Sequence, residues 1–198
     1  MVKGHPRRSQ QGRNGEDGSE DSRCDCIMKQ LSLKSINDRA PLEVSLTTSG
    51  TFTFGTEKSR YIVGFVEDYT ILDSGVYQFF IENISGAKNT LSTKVFQTTV
   101  SIIEEFFKKN DSAMLYICDT ADGKRSARDR LFAMWFNCYE GHFSYTLSRV
   151  SICIDGINYY ASLLISNSNP SYGKILNAFN NFASGFSDKV SDPIRTSR

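Results

Sequence analysis

The chain has 198 residues, which is enough for one domain with a substantial hydrophobic core. Its formal net charge of +1 argues against a molecule whose overall field attracts nucleic acid or anionic membranes. No apolar run approaches the roughly 18 residues of a membrane-spanning helix, and no apolar segment near the start resembles a secretory signal, so we expect a cytoplasmic protein.

The two ends of the chain are predicted to be disordered. Residues 1–27 contain no aromatic residue and no helix or strand periodicity, so they cannot bury enough surface to offset chain entropy. Met28 opens a stretch typical of a natural start, so this tail is either an over-extended reading frame or a genuine flexible arm. Residues 28–49 are predicted to be an irregular lead-in, and residues 189–198 a disordered end.

Residues 50–188 are predicted to form a single globular domain that opens with three strands. Apolar and polar residues alternate on both sides of a Gly-Thr-Glu-Lys turn, which predicts a hairpin of 50–55 with 60–67. The segment VYQFFIEN, residues 76–83, is predicted to be the third strand.

A helix and a central strand follow. The segment STKVFQTTVSIIEEFFKKN repeats apolar residues at spacings of three and four, which predicts a helix with one apolar stripe. Ser92 caps its start, and Lys108 and Lys109 suit the negative dipole at its end. The continuous apolar run at 113–119 predicts a strand that is buried on both faces.

The last part of the domain is predicted to contain a helix, two long strands and a final helix. The strands, 143–154 and 157–166, meet across Asp155-Gly156, which is a strong hairpin signal. Pro170 marks the start of the final helix. The fold class is therefore α+β, a mixed α/β layer structure in the order β-β-β-α-β-α-β-β-α. The first of these two helices is predicted to bury Leu131, Trp135, Cys138 and Tyr139.

The turn after the central strand carries the candidate site. Helix N-termini and strand ends converge at such turns, and open α/β sheets bind ligands there. Lys124 and Arg128 are one turn apart, so both could reach one anion, and Asp119 and Asp122 stand beside them. This pattern predicts a ligand or anion site formed by these four residues.

The simpler interpretation of this turn is structural, and we favour it. Asp122 caps the helix, Arg125 pairs with Asp129 one turn along, and the other charges are solvated.

Other kinds of functional site have little support in the sequence. The segment 84–90 lacks the pattern of a nucleotide-triphosphate loop, a lone His142 is not a catalytic constellation, and we expect no metal.

The block SIIEEFFKKNDSAMLYICDTADGKRSARDRLFAMWF, with the later YYASLLI and NP, resembles a family of small uncharacterised proteins from Bacteroidetes. That family is catalogued only as a domain of unknown function. The resemblance covers roughly 50–180 and is specific at 101–136. It implies a bacterial cytosolic protein and transfers no catalytic residue.

The predicted element order is also similar to the core order of the GNAT acyl-CoA acetyltransferases. This resemblance implies a mixed sheet with flanking helices and acyl-CoA as the cofactor. Two features depart from it. The glycine-rich pyrophosphate loop would fall at 84–92, where only Gly86 stands, and the tyrosine that serves as general acid would fall near Phe132, which has no proton to give.

These observations favour a non-catalytic module that binds a protein or a small-molecule ligand and carries no cofactor. The alternative is a divergent GNAT-like acyltransferase that uses acyl-CoA, so the sequence leaves open whether the protein is an enzyme. A membrane partner is not expected. A nucleic-acid partner is disfavoured because the folded part has no basic stripe with interleaved aromatic residues.

Overall fold

The computed structural model describes residues 28–85, 92–118, 125–139, 141, 144–154 and 157–187, and the predicted disordered ends, the loop at 86–91 and the Asp155-Gly156 turn lie outside these ranges. The elements in chain order are α1 (Leu33–Asn37), β1 (Ser45–Leu46), β2 (Phe52–Gly55), β3 (Arg60–Glu67), β4 (Val76–Asn83), α2 (Thr93–Lys109), β5 (Ala113–Ile117), α3 (Arg125–Cys138), β6 (Tyr145–Ile154), β7 (Ile157–Ser166) and α4 (Tyr172–Ser187).

The strands form one seven-stranded mixed sheet in the order β1-β2-β3-β4-β5-β7-β6. Neighbouring strands are antiparallel except β4 and β5, which are parallel. The predicted hairpin of β2 with β3 and the long hairpin of β6 with β7 are confirmed. The predicted α+β class is therefore correct.

The strand β5 is an interior strand of the sheet, as its continuous apolar run predicts. Residues 113–116 are buried, and the strand lies between β4 and β7. Its ladder with β4 runs from Val76 opposite Ala113 to Phe79 opposite Tyr116 and stops there. The last four residues of β4 pair with β3 alone, so β4 and β5 part at their carboxyl ends.

Both faces of the sheet are covered. On one face α1, α2 and α3 enclose a core that includes Ile36, Phe79 and Phe106. On the other face α4 packs Ile175 and Phe179 onto the sheet. Within the described residues, no helix is both long enough and apolar enough to cross a membrane.

The helix α2 forms where its apolar spacing predicts. Ser92 is the N-cap, because its Oγ accepts a hydrogen bond from the Val95 amide at 3.4 Å, and Lys108 and Lys109 lie in the last turn. One stripe of the helix is fully buried against the sheet, and its apolar members are Val95, Ile102 and Phe106.

The lead-in at 28–49 differs from the irregular segment that the sequence predicts. It contains α1 and β1, and Leu31, Ile36 and Val44 are buried in the core. Both elements are too short to repeat a period: α1 has five residues and β1 has two. The position of α1 depends on contacts with α2, which lies more than 50 residues further along the chain, and β1 pairs with β2.

The buried side of α3 also differs from the prediction. Cys138 is exposed, and Leu131, Trp135 and Tyr139 are only partly buried. The helix is turned so that the residues it buries are Asp129, Phe132 and Ala133.

An ion pair accounts for this orientation of α3. Asp129 is 5% exposed, and its carboxylate accepts hydrogen bonds from both Nε and Nη2 of Arg149 on β6. Phe132 stacks on Tyr116 of β5, with ring centroids 4.6 Å apart. The sequence analysis paired Asp129 with Arg125 instead, but the Arg125 side chain lies outside the described residues.

Candidate functional site

A cavity of about 50 Å³ lies between α2, α3 and the β6–β7 hairpin. Almost all of its surface is contributed by apolar atoms. The residues that line it are Val100, Ile103, Glu104, Phe107, Phe132, Trp135, Phe136, Tyr139, Tyr145 and Leu164.

The spacing of the lining residues follows from helix geometry. On α3 they lie at positions i, i+3, i+4 and i+7 from Phe132, which places them on one face. On α2 they flank the fully buried stripe and face α3 instead of the sheet. Two of the residues that the sequence predicts to be buried, Trp135 and Tyr139, therefore form part of a wall of the cavity.

The aromatic rings around the cavity are inclined to one another. Phe107 and Tyr145 have ring centroids 4.9 Å apart with planes at 50°, and Tyr139 and Tyr145 are 6.5 Å apart at 44°. The rings of Trp135 and Phe96 have centroids 5.4 Å apart, with planes at 37°.

The polar end of the cavity is formed by Glu104. Its carboxylate accepts a hydrogen bond from the Tyr139 hydroxyl and lies 3.3 Å from Nε of Arg39. An open groove of about 400 Å³ adjoins it and shares Val100, Glu104 and Tyr139 with the cavity lining. This surface groove is lined by both polar and apolar atoms, and its other lining residues are Arg39, Pro41, Phe96, Gln97, Ser101 and Cys138.

A fully buried carboxylate supports this polar end. Glu105 is 0% exposed and accepts hydrogen bonds from the Ser35 hydroxyl at 2.7 Å, the Ser32 amide at 3.3 Å and Nη2 of Arg39 at 3.3 Å. Burial alone would raise the pKa of Glu105, but these three hydrogen bonds together outweigh it, and the pKa is lowered. Glu105 therefore stays ionised and holds Arg39 beside Glu104.

The two tyrosines of the cavity are neutral at physiological pH. Burial raises the pKa of Tyr139, and so does the hydrogen bond that it donates to Glu104. Burial is also the main cause that raises the pKa of Tyr145, with a smaller contribution from the charge of Glu104. Both phenols thus remain hydrogen-bond donors.

The four residues of the anion site that the sequence predicts do not line this cavity within the described residues. Asp119, Asp122 and Lys124 lie outside the described residues, and Arg128 is on α3 with its side chain outside them. The anion site at this turn therefore stays a prediction. Among the described side chains, no group of three or more His, Cys, Asp or Glu residues could hold a metal ion.

Sequence reasoning missed the cavity and its polar end. The aromatic spacing on α3 predicts core packing, but the same spacing also occurs in a helix that lines a cavity. Arg39 gave no signal, because it lies in the lead-in and its partners Glu104 and Glu105 are about 65 residues away in the chain.

A family model described as "Family of unknown function (DUF6169)" matches residues 92–181. The resemblance to a domain of unknown function is therefore confirmed for this range, whereas the first three strands of the expected range, 50–180, lie outside it. The matched range contains every residue that lines the cavity. No curated protein and no solved structure matches the chain.

Proposed function

We propose that this domain binds a small molecule, with an apolar group of the ligand in the cavity and a polar part in the adjoining groove. The observation that carries this proposal is the cavity itself, a concave and mostly aromatic space that opens beside a few polar groups. Small-molecule sites typically have this composition.

The chemistry of the lining favours an apolar group over water. The cavity is about four times the 10–15 Å³ that one water molecule needs. A water molecule also needs two to four polar partners, and the Glu104 carboxylate at one end is the main one here. A ligand group of about four heavy atoms would gain contact with the rings and release poorly bonded water.

A cavity-filling substitution tests this function. Val100 borders both the cavity and the groove, so Val100→Phe should place a ring in the space and abolish binding of the apolar probe 3,3-dimethylbutan-1-ol. Trp135 is the only tryptophan of the chain and lines the cavity, so its fluorescence reports entry of the probe directly.

The matched control is Met134→Phe, because Met134 is 52% exposed on α3 and does not line the cavity. This variant should bind the alcohol as wild type does. Equal binding by Val100→Phe, with its melting temperature unchanged, would place the probe elsewhere and count against the proposal.

The second candidate function is a divergent acyltransferase that uses acyl-CoA. The observed order β2-β3-β4-α2-β5-α3-β6-β7 matches the core order of the GNAT resemblance. The parallel strands β4 and β5 also part at their carboxyl ends, which is where open sheets bind ligands. These features support the alternative, whose phosphate-binding residues would be Lys124 and Arg128, with Asp119 and Asp122 beside them.

Titration with acetyl-CoA separates the two candidates. Under the second, wild type should bind acetyl-CoA, and the double change Lys124→Ala with Arg128→Ala should weaken binding by roughly tenfold or more, since two charge-assisted contacts to phosphate are lost. Calorimetry measures both affinities. Absence of binding to wild type at millimolar concentration would exclude the acyl-CoA function.

We further propose that the protein works in the cytoplasm of a bacterium, as the Bacteroidetes resemblance implies. Cys118 is buried, and Cys138 is exposed and forms no disulfide within the part of the chain that the structure describes. An exposed unpaired thiol is stable in a reducing compartment, which supports this location.

A further inference from the structure

We propose that the group entering the cavity is an alkylated ammonium cation, such as a trimethylammonium group. This inference rests on the proposed function, because it specifies the ligand chemistry of the same cavity. Three properties of the described lining support it: its aromatic rings, its single carboxylate and its size.

Aromatic rings supply most of the lining. Six of the ten lining residues are Phe, Trp or Tyr, and the rings of Phe107 and Tyr139 are both inclined to the ring of Tyr145. The face of each ring carries a negative quadrupole that attracts a cation within about 6 Å of its centroid. A cation in this cavity would therefore contact several rings at once.

Glu104 gives the cavity its charge. It is the only charged residue in the described lining, which contains no lysine, arginine or histidine. Its negative charge contributes to the raised pKa values of Tyr139 and Tyr145, so the electrostatic effect of the carboxylate extends over both rings. The electrostatics thus favour a cation and disfavour an anion.

The nearby positive charges do not reverse this preference. Arg39 lies in the groove, and its one guanidinium is shared between the carboxylates of Glu104 and Glu105. Lys108 is exposed to solvent one turn beyond Glu104 on α2 and does not line the cavity. The single positive charge of Arg39 therefore offsets only one of the two glutamate charges, and no other cationic side chain lines the cavity within the described residues.

Size and hydrogen bonding select an alkylated cation over a primary ammonium group. Space for about four heavy atoms matches a nitrogen with three methyl groups. A primary ammonium group would carry three N–H donors into a lining that is almost wholly apolar. Methyl groups require no such partners and contact the rings directly.

Two probes of the same shape test the inference. Choline and 3,3-dimethylbutan-1-ol differ in that the first has a charged nitrogen where the second has a carbon. Choline should bind about tenfold or more tightly, measured by Trp135 fluorescence and by the rise in melting temperature. Equal or weaker binding of choline would overturn the cation inference and leave the small-molecule function standing. If neither probe binds at millimolar concentration, both proposals fail.

Variants of Glu104 and Tyr139 then test which residue causes the preference for choline over the alcohol. Glu104→Gln should lose the tenfold advantage of choline and keep its affinity for the alcohol, whereas Tyr139→Phe, which retains the ring, should keep the advantage. An unchanged preference in a folded Glu104→Gln protein would overturn the role of the carboxylate. If Glu104→Gln does not fold, the test uses the wild-type protein with 3,3-dimethylbutanoate. This anion should bind more weakly than the alcohol. Equal or tighter binding of the anion contradicts the inference.

Discussion

Phe106→Ala should lower the free energy of unfolding by about 3–5 kcal/mol, which is the usual cost of a buried phenylalanine truncation. Phe106 is 0% exposed on α2. Its ring stacks on Phe65, with centroids 4.4 Å apart and planes at 9°, and meets Tyr77 edge-on at 5.7 Å. The surrounding strands and helix relax only partially into the space. The loss of stability therefore includes the transfer free energy of the removed atoms and the free energy of the cavity that remains.

Urea unfolding at neutral pH measures this loss. Lys109→Ala on the last turn of the same helix is the control, because Lys109 is exposed and surface changes usually stay within about 0.5 kcal/mol. A loss below about 1 kcal/mol for Phe106→Ala would show that α2 does not pack on the sheet as described.

Glu105→Gln should lower the free energy of unfolding by about 3 kcal/mol at neutral pH. Hydrogen bonds to a charged group contribute about 1.5–3 kcal/mol each, and the substitution leaves some of the hydrogen-bond donors unsatisfied. An amide retains one acceptor oxygen. It cannot serve the Ser32 amide, the Ser35 hydroxyl and Arg39 together. The replacement also inserts two N–H donors among these donors.

The same substitution should change the pH dependence of stability. The pKa of Glu105 is lower in the folded protein than its ordinary value of 4.5. Its contribution to stability is therefore fully present above that value and is lost as pH falls through the lower folded pKa. The difference in unfolding free energy between wild type and Glu105→Gln should shrink as pH falls from 7 to about 3.

The exposed Glu57→Gln is the control and should show no such trend. If the difference for Glu105→Gln stays constant with pH, the buried carboxylate is not the group that stabilises the contact between α1 and α2.

The elements that the sequence predicts correctly have a local pattern, which is either a repeated period or a continuous apolar run bounded by polar turns. The helix α2 shows the three-and-four spacing over 17 residues, and β5 is a short apolar run bounded by polar turns. The lead-in fails this criterion. Leu31, Ile36 and Val44 are spaced too irregularly to indicate α1 or β1, and their burial depends on contacts with distant residues.

The candidate site was hidden for a different reason. An aromatic stripe on α3 has the same spacing whether its rings fill a core or line a cavity, so Trp135 and Tyr139 could not be assigned from spacing alone. The orientation of α3 is associated with the pair of Asp129 with Arg149, which joins residues 20 positions apart. Such a partner choice has no local signature.

The interior position of β5, between β4 and β7, has a consequence for how the chain folds. The antiparallel strands β2, β3 and β4 pair with close sequence neighbours, and so do β6 and β7, so both groups can form through short loops. The strand β5 joins the two groups: Met114 must find Tyr77 on one side and Leu164, 50 positions further along the chain, on the other. We therefore expect docking of β5 to be the slow, entropy-limited step of folding, and its amides to be among the last to exchange with solvent.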